Sequence, residues 1–159
     1  MSCAIFDCPS GWEALLPAGL MPLYSAAEVC ALHRELLVLT PAGCRRLQGR
    51  RASCDILLLP GGEILPPVSA RHVISCGMTS RDSLTFSGLQ RPVLCVQRTL
   101  PRPDGSAIER QEIPLQSLPG SPERWLPLLG AWLLLGRGGN PFVFKETSNL
   151  ILTNRENQV

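Results

Sequence analysis

The most informative pattern in the chain is a set of three short apolar runs, at 36–39, 56–59 and 73–76. Runs of this length without polar alternation predict strands covered on both faces, as in a parallel sheet. Thr40 and Pro41 follow the first run and predict a helix to about Gln48, because threonine caps helices and proline suits the first helical turn. Strand, helix and strand in this order are typical of a βαβ unit.

The residues before this unit predict two more strands and a second helix. An apolar run at 3–6 is followed by a turn rich in proline and glycine, and 20–24 forms another extended segment. Ser25 and Glu28 have the spacing of a capping box, in which each side chain binds the other residue's backbone amide. We therefore predict a helix over 25–34.

After Gly77 the pattern changes to alternation of apolar and polar residues, which predicts antiparallel strands with one wet face. The alternating segments lie at 83–87, 94–100 and 112–115. The segment 101–105 ends in Asp-Gly, a strong hairpin signal, and is expected to join the last two strands. An apolar helix over 122–135, ended by Gly136, and an edge strand at 142–144 follow.

Together these elements predict an α/β fold. It consists of a Rossmann-like parallel sheet with flanking helices, a C-terminal antiparallel hairpin or small sheet, and a closing helix. The length of 159 residues is typical of a single domain, 1–159. Within it, 1–77 form the parallel part, 78–145 the antiparallel strands and apolar helix, and 146–159 a polar tail.

Charge narrows the classes of partner. The formal net charge of +2 is too small to attract nucleic acid or an anionic membrane over the whole surface. One basic cluster, formed by Arg45, Arg46, Arg50 and Arg51, has the spacing to contact phosphate. We favour a solvated helix end instead, because no aromatic residues are interleaved for base stacking. No nucleic-acid partner is expected.

Neither the first residues nor the cysteines indicate export. The first 20 residues lack a basic segment and are interrupted by acidic, glycine and proline residues, so we expect no signal peptide. The apolar stretch 125–135 is too short to cross a membrane core of about 30 Å. Seven scattered cysteines, an odd number without C-x-x-C spacing, favour a cytoplasmic protein whose cysteines lie mostly in the core, with no metal or other cofactor.

Ligands of parallel α/β sheets bind beyond the carboxyl ends of the strands. The candidate ligand-binding residues at these positions are Thr40, Gly61, Gly62, Glu63, Gly77, Ser80, Arg81 and Asp82. Gly61 and Gly62 would let backbone amides approach a phosphate, but we favour a simple turn, because both the Walker pattern and G-x-G-x-x-G are missing. The Ser-Arg-Asp triplet would orient an anion, or form a turn whose Asp82 binds its own backbone.

Nucleophilic catalysis needs a base within reach of a serine or cysteine, and histidine is the usual one. Only His33 and His72 are present. His72 lies ~13 Å from Cys76 along an extended strand, too far to activate that thiol. His33 is expected on the apolar side of a helix, as a core or boundary residue. We therefore predict no catalytic residue and favour a protein that is not an enzyme.

From residue 72 onward, Val73-Ile74-Ser75-Cys76-Gly77, the alternating strands, Ile113-Pro114-Leu115 and a helix closing on Leu135-Gly136 come in this order. This order resembles the last part of the central domain of the Mur ligase and folylpolyglutamate synthetase family, over about half of the chain. The family's P-loop lysine has no counterpart, because Lys145 is the only lysine, and Pro60-Gly61-Gly62 stands in place of its Asn-Asp-Asp type motif. The resemblance implies a cut-down relative that keeps the scaffold without the ligase machinery.

Two functions stay open on this basis. The first is a non-catalytic Rossmann-like module that binds a partner protein or a small ligand at the Gly61 and Gly77 loops. The alternative is a small nucleotide- or sugar-nucleotide-binding enzyme related to Mur ligases. A homo-oligomer is a third hypothesis, because Trp125 and Trp132 are seven residues apart on one helix face and would form a contact if exposed.

Overall fold

A computed structural model describes residues 2–88 and 90–136 of the chain. They form an α/β fold with a mostly parallel central sheet, helices on both faces and a small separate hairpin. The predicted fold class is confirmed. No helix in the described ranges is long and apolar enough to cross a membrane.

The order of elements follows the predicted pattern closely. The described strands are β1 (Cys3–Phe6), β2 (Leu20–Leu23), β3 (Arg34–Leu39), β4 (Ala52–Pro60), β5 (Val68–Cys76), β6 (Leu84–Ser87), β7 (Val93–Val96), β8 (Leu100–Pro101), β9 (Ala107–Ile108) and β10 (Gln111–Pro114). The helices are α1 (Ala26–Ala31), α2 (Pro41–Arg46) and α3 (Leu126–Leu135), with 3₁₀ turns at Glu13–Leu15 and Pro122–Trp125.

The main sheet has the strand order β10-β7-β6-β5-β4-β3-β1-β2. The strands from β2 to β6 in this order are parallel, whereas β7 pairs antiparallel with both β6 and β10. The three apolar runs lie in β3, β4 and β5, which are neighbours. Their last residues are followed by Thr40, Gly61 and Gly77, so these positions share one end of the sheet, here called the carboxyl edge; the opposite end is the amino edge.

The apolar core has two layers. Helix α3 covers one face of the sheet, and α1 and α2 cover the other. Every residue of α3 from Leu126 to Leu134 is buried, and a Cβ on Gly130 would lie 2.7 Å from the Leu58 side chain. Trp125 and Trp132 are only 7% and 6% exposed, so these rings offer almost no surface for the oligomer contact that was predicted through them.

The connection between β4 and β5 is unusually short for parallel strands. The two strands pair in register from Ala52 to Pro60, although only the seven residues 61–67 join them. Parallel strands normally need a crossover of about a dozen residues. Returning along a strand of this length requires ~27 Å, close to the limit of eight extended Cα steps. The segment 61–67 therefore has little slack and leaves no room for a helix.

The missing helix leaves part of the sheet uncovered. Val73 in β5 is 54% exposed, so the prediction that all three apolar runs are covered on both faces is wrong at this residue. Ile64 and Leu65 in the connecting segment are also exposed.

Three local predictions also differ from the structure. Helix α1 ends at Ala31 and not at 34, because Leu32 is extended and Arg34 already starts β3, where its guanidinium donates to the Glu28 carbonyl. Ser25 makes no side-chain cap bond. The turn at 101–105 joins β8 to β9, while β7 and β10 pair with each other. The strand predicted at 142–144 lies outside the described residues.

Side chains change face within β4 and β5. In β4, Ala52 and Cys54 pack in the layer under α1 and α2, whereas Ile56 and Leu58 pack under α3. The same shift occurs in β5, between Ala70 and Ile74. The alternation slips by one residue near Asp55. Ser53 and Asp55, which lie at the amino edge of the sheet, belong to neither apolar layer.

Candidate functional site

A cavity of about 280 Å³ opens at the carboxyl edge. Its floor is formed where β4 and β5 end, and its other wall is the start of the closing helix. The lining residues are Pro41, Pro60, Gly61, Cys76, Gly77, Ser121, Glu123, Arg124, Leu126 and Pro127. Two of the eight residues predicted to bind a ligand, Gly61 and Gly77, thus line one cavity, here called the carboxyl-edge cavity.

Asp82 lies directly behind these glycines. Its side chain is 5% exposed, and a Cβ built on Gly61 or Gly77 would lie 2.1 Å or 2.5 Å from its carboxylate oxygens. Any larger residue at either glycine must displace the carboxylate. Glycine at positions 61 and 77 therefore allows the loops after β4 and β5 to pack closely against the buried Asp82.

The polar groups at this position are already engaged. Asp82 Oδ2 accepts from the Thr79 amide at 3.0 Å and from the Thr79 hydroxyl at 2.8 Å. The Gly61 amide donates to the Cys76 carbonyl at 2.8 Å, and the Gly77 amide donates to the Leu84 carbonyl at 3.0 Å. The turn interpretation of Asp82 thus describes its contacts, and these two amides do not form a phosphate cradle.

Thr40 is a structural residue of the same edge. Its side chain is buried; the hydroxyl accepts from the Gly43 amide at 3.1 Å and lies 2.8 Å from the Asp7 carbonyl, to which it donates. The predicted helix cap is confirmed. Because both roles of the hydroxyl are used, Thr40 positions Pro41 at the cavity wall without facing a ligand itself.

Glu63 and Gly62 lie on the outer side of the edge. Glu63 forms an ion pair with Arg45 at 3.0 Å, and Gly62 is an exposed turn residue with φ of 90°. Arg46, the next member of the basic cluster, pairs with Asp7 at 3.2 Å. Arg45 and Arg46 therefore form ion pairs with residues of neighbouring loops at the carboxyl edge.

Ser80 and Arg81 do not join Gly61 and Gly77. Both are exposed, and Ser80 lines a separate groove of about 340 Å³ on the uncovered face of β6, β7 and β10. The Ser80-Arg81-Asp82 triplet is thus split, with its acid buried and its other two residues in solvent.

The closing helix supplies the charged wall of the carboxyl-edge cavity. Arg124 and Glu123 lie in the 3₁₀ turn that precedes α3, and the Arg124 guanidinium stacks 5.2 Å from the Trp125 ring. Trp125 in turn stacks on Trp12, with 5.7 Å between ring centres. These rings fix the turn that carries the cavity's charged side chains.

The cysteines are free thiols, and five of the seven are buried, as predicted for core residues. Burial raises the pKa of Cys76 on the cavity floor, with the Asp82 charge adding to it. Burial likewise raises the pKa of Cys8, whose sulfur lies 3.5 Å from the Tyr24 hydroxyl. Thiols held protonated in this way are poor nucleophiles and poor metal ligands.

Within the described ranges no group of three or more His, Cys, Asp or Glu side chains is arranged to hold a metal ion. The described contacts of the carboxyl-edge cavity thus pair no nucleophile with a base. The lining residues of the carboxyl-edge cavity include one arginine, one glutamate and several apolar side chains.

The sequence interpretation missed a polar cluster at the amino edge. His33 is exposed in the segment before β3, not on an apolar helix face as predicted. Its Nδ1 lies 3.0 Å from Ser53 Oγ, and its Nε2 lies 3.0 Å from Asp55 Oδ1. The spacing of Ser53 and Asp55, two residues apart on one strand, is the signal that both share a face, but pairing with His33 requires the fold.

No family model, curated protein or solved structure matches this chain. The resemblance to the Mur ligase family therefore stays a prediction.

Proposed function

We propose that this chain is a binding module that takes a small ligand in the carboxyl-edge cavity and performs no chemistry on it there. The observation that carries the proposal is the cavity itself, placed where parallel α/β sheets bind ligands and walled by Arg124, Glu123 and apolar residues. The mixture of charges favours a small ligand that carries both a polar and an apolar part.

The rigid surroundings of the cavity support a preformed site. Gly61 and Gly77 pack against the buried Asp82, and Thr40 caps the helix that begins at the cavity wall. A site held by such contacts loses little conformational freedom when a ligand binds, which favours affinity.

The alternative, a nucleotide- or sugar-nucleotide-binding enzyme, has less support. The amides of Gly61 and Gly77 donate to backbone carbonyls, and Ser80 and Arg81 lie away from the cavity. A triphosphate would find Arg124 as the one cation among the cavity's lining residues.

A thermal-shift screen of small polar metabolites, with nucleotides and sugar nucleotides as a separate set, tests the proposal. A ligand at a hundred times its dissociation constant adds ~2.7 kcal/mol, which corresponds to a rise in Tm of about 5–10 °C for a chain of this size. A response to nucleotides alone favours the alternative, and no response in either set contradicts the proposal.

Two variants locate the binding. Ser121→Phe places a ring at the cavity mouth and should abolish the shift. Ser69→Phe, at an exposed serine of the amino edge, is the matched control and should leave the shift unchanged. A shift that survives Ser121→Phe places the ligand elsewhere.

A further inference from the structure

We propose that Ser53, His33 and Asp55 form a second, separate site that transfers acyl groups from small esters. The three side chains are linked by two hydrogen bonds of 3.0 Å, one between the Ser53 hydroxyl and His33 Nδ1 and one that His33 Nε2 donates to Asp55 Oδ1. The order of serine, imidazole and carboxylate is that of nucleophile, base and orienting acid in serine hydrolases, but here Nδ1 faces the serine and Nε2 the acid, the reverse of the usual triad.

The backbone holds this arrangement at the amino edge. Ser53 and Asp55 lie on β4, and β3 starts beside them at Arg34, which pairs with Cys54. His33 immediately precedes β3, so its ring is placed over the serine and the acid. The side-chain alternation of β4 slips by one residue near Asp55. Ser53 and Asp55 belong to neither apolar layer and are partly exposed to solvent.

The carboxylate determines which nitrogen carries the proton. An ionised Asp55 only accepts, so it favours the tautomer with hydrogen on Nε2. Nδ1 is then an acceptor facing the Ser53 hydroxyl, which is the state required of a general base. Arg71, on the neighbouring strand β5, lies 3.8 Å from the same carboxylate oxygen and adds a positive charge beside it.

The reaction can be written with the groups present. Ser53 Oγ attacks the ester carbonyl carbon while its proton passes to His33 Nδ1. The bond from carbon to the leaving oxygen breaks, and the alcohol departs with that proton. Water then attacks the acyl-serine, giving the carboxylic acid and restoring Ser53 through the same imidazole.

Solvent exposure limits the substrate class. The His33 side chain is 55% exposed and that of Asp55 39%. An open site of this kind provides few contacts to a large substrate, so we infer small, unhindered esters with good leaving groups.

The test uses the full chain with a fluorophosphonate probe and with p-nitrophenyl acetate. We expect one phosphonyl adduct, located on Ser53 by peptide mass spectrometry, and release of nitrophenolate above the rate of buffer. Because general-base catalysis contributes about 10²–10⁴-fold, His33→Ala should slow both reactions by at least ~100-fold. Ser53→Ala should abolish the adduct.

Ser69→Ala is the matched control, since Ser69 lies beside Ser53 in the register of β4 and β5. It should label at the rate of the unmodified chain. Equal labelling of the Ser53→Ala variant, adducts spread over several serines, or an unmodified chain that neither labels nor releases nitrophenolate would each overturn the proposal.

Asp55 is a positioning residue, and its role separates catalysis from a merely structural hydrogen bond. Asp55→Asn can donate to Nε2 and so favours the opposite tautomer; we expect labelling to fall by about 10²-fold or more. Asp55→Glu keeps the acceptor and should restore part of the rate.

Discussion

The two ends of the parallel sheet use polar residues in opposite ways. At the carboxyl edge, the hydroxyl of Thr40 and the carboxylates of Asp82 and Glu63 are bound to backbone groups or to an arginine of the same edge. At the amino edge, His33, Ser53 and Asp55 are bound to each other; His33 is exposed, and Ser53 and Asp55 are half-buried. The first set fixes loops, whereas the second leaves reactive atoms accessible.

The comparison shows that the place where a fold usually binds ligands need not be the place where its polar side chains are free to react. The general rule for α/β sheets selects the carboxyl edge, and the structure does place a cavity there. Its polar side chains nonetheless serve mainly to build the walls. The described group that resembles a catalytic one lies at the end that the rule does not select.

The largest expected effect is at the carboxyl edge. Asp82→Ala should lower the free energy of unfolding by about 3 kcal/mol, because it removes two hydrogen bonds to a buried charged group. Gly77→Ala should cost about 2 kcal/mol by overpacking against the carboxylate. In the Asp82→Ala background the glycine substitution should cost little. Urea unfolding of the unmodified chain, the two single variants and the double variant measures this coupling. Additive losses of unfolding free energy would contradict the close packing of Gly77 against Asp82.

Buried thiols near each end make alkaline pH the next largest effect. Burial, with the Glu63 charge, raises the pKa of Cys44 from 9.0 to about 11; burial, with the Asp55 charge, raises that of Cys54 from 9.0 to about 12. The stabilisation is complete below pH 9 and is lost as the pH rises towards the folded-state values, because only the unfolded chain then releases these protons.

Each of these thiols should therefore lower the free energy of unfolding by about 1.4 kcal/mol per pH unit above 9. Urea unfolding at pH 8 and 10 checks this, with Cys44→Ala and Cys54→Ala as controls that each remove one contribution. A free energy that is constant over this range would contradict burial of the thiols.

A smaller effect distinguishes a real helix cap from an apparent one. Thr40→Ala should destabilise the chain by about 1–2 kcal/mol, because the hydroxyl caps α2 and binds the end of β1. Ser25→Ala, at the predicted cap of α1 that makes no side-chain bond, should cost under ~0.5 kcal/mol. Thermal unfolding compares the two; equal losses would show that the Thr40 bonds contribute nothing.

The smallest effect is expected at the amino edge. His33→Ala and Ser53→Ala should each change the free energy of unfolding by less than ~0.5 kcal/mol, because His33 is exposed and its bonds compete with water. The same variants are expected to lose the acyl-transfer reaction. A large destabilisation would instead identify the cluster as a structural brace.

The sequence predicted the strands well because apolar runs and their alternation report burial directly. The adjacent strands β3, β4 and β5, the cap at Thr40 and the buried α3 all follow from local pattern. The helix α1 was predicted too long because 25–34 keeps helical spacing, while the start of β3 at Arg34 is determined by pairing with Cys54.

The candidate sites were less accessible to sequence reasoning. Gly61, Gly77 and Asp82 were selected correctly as neighbours of one edge, but no local rule shows that the acid fills the space beside the glycines. His33 is twenty residues from Ser53, and their contact depends on the register of β3 against β4. Trp125 and Trp132 have the same spacing whether a helix is exposed or buried.

The short return segment between β4 and β5 limits how this chain can change. Paired residues of β4 and β5 are sixteen positions apart throughout. Deleting one residue from 61–67 would therefore shift the register of β5 against β4 by one residue. A register shift of one residue turns each side chain of a strand to the other face of the sheet. Added residues would merely bulge outward, so descendants of this chain can acquire insertions here, and even a covering helix, far more readily than deletions.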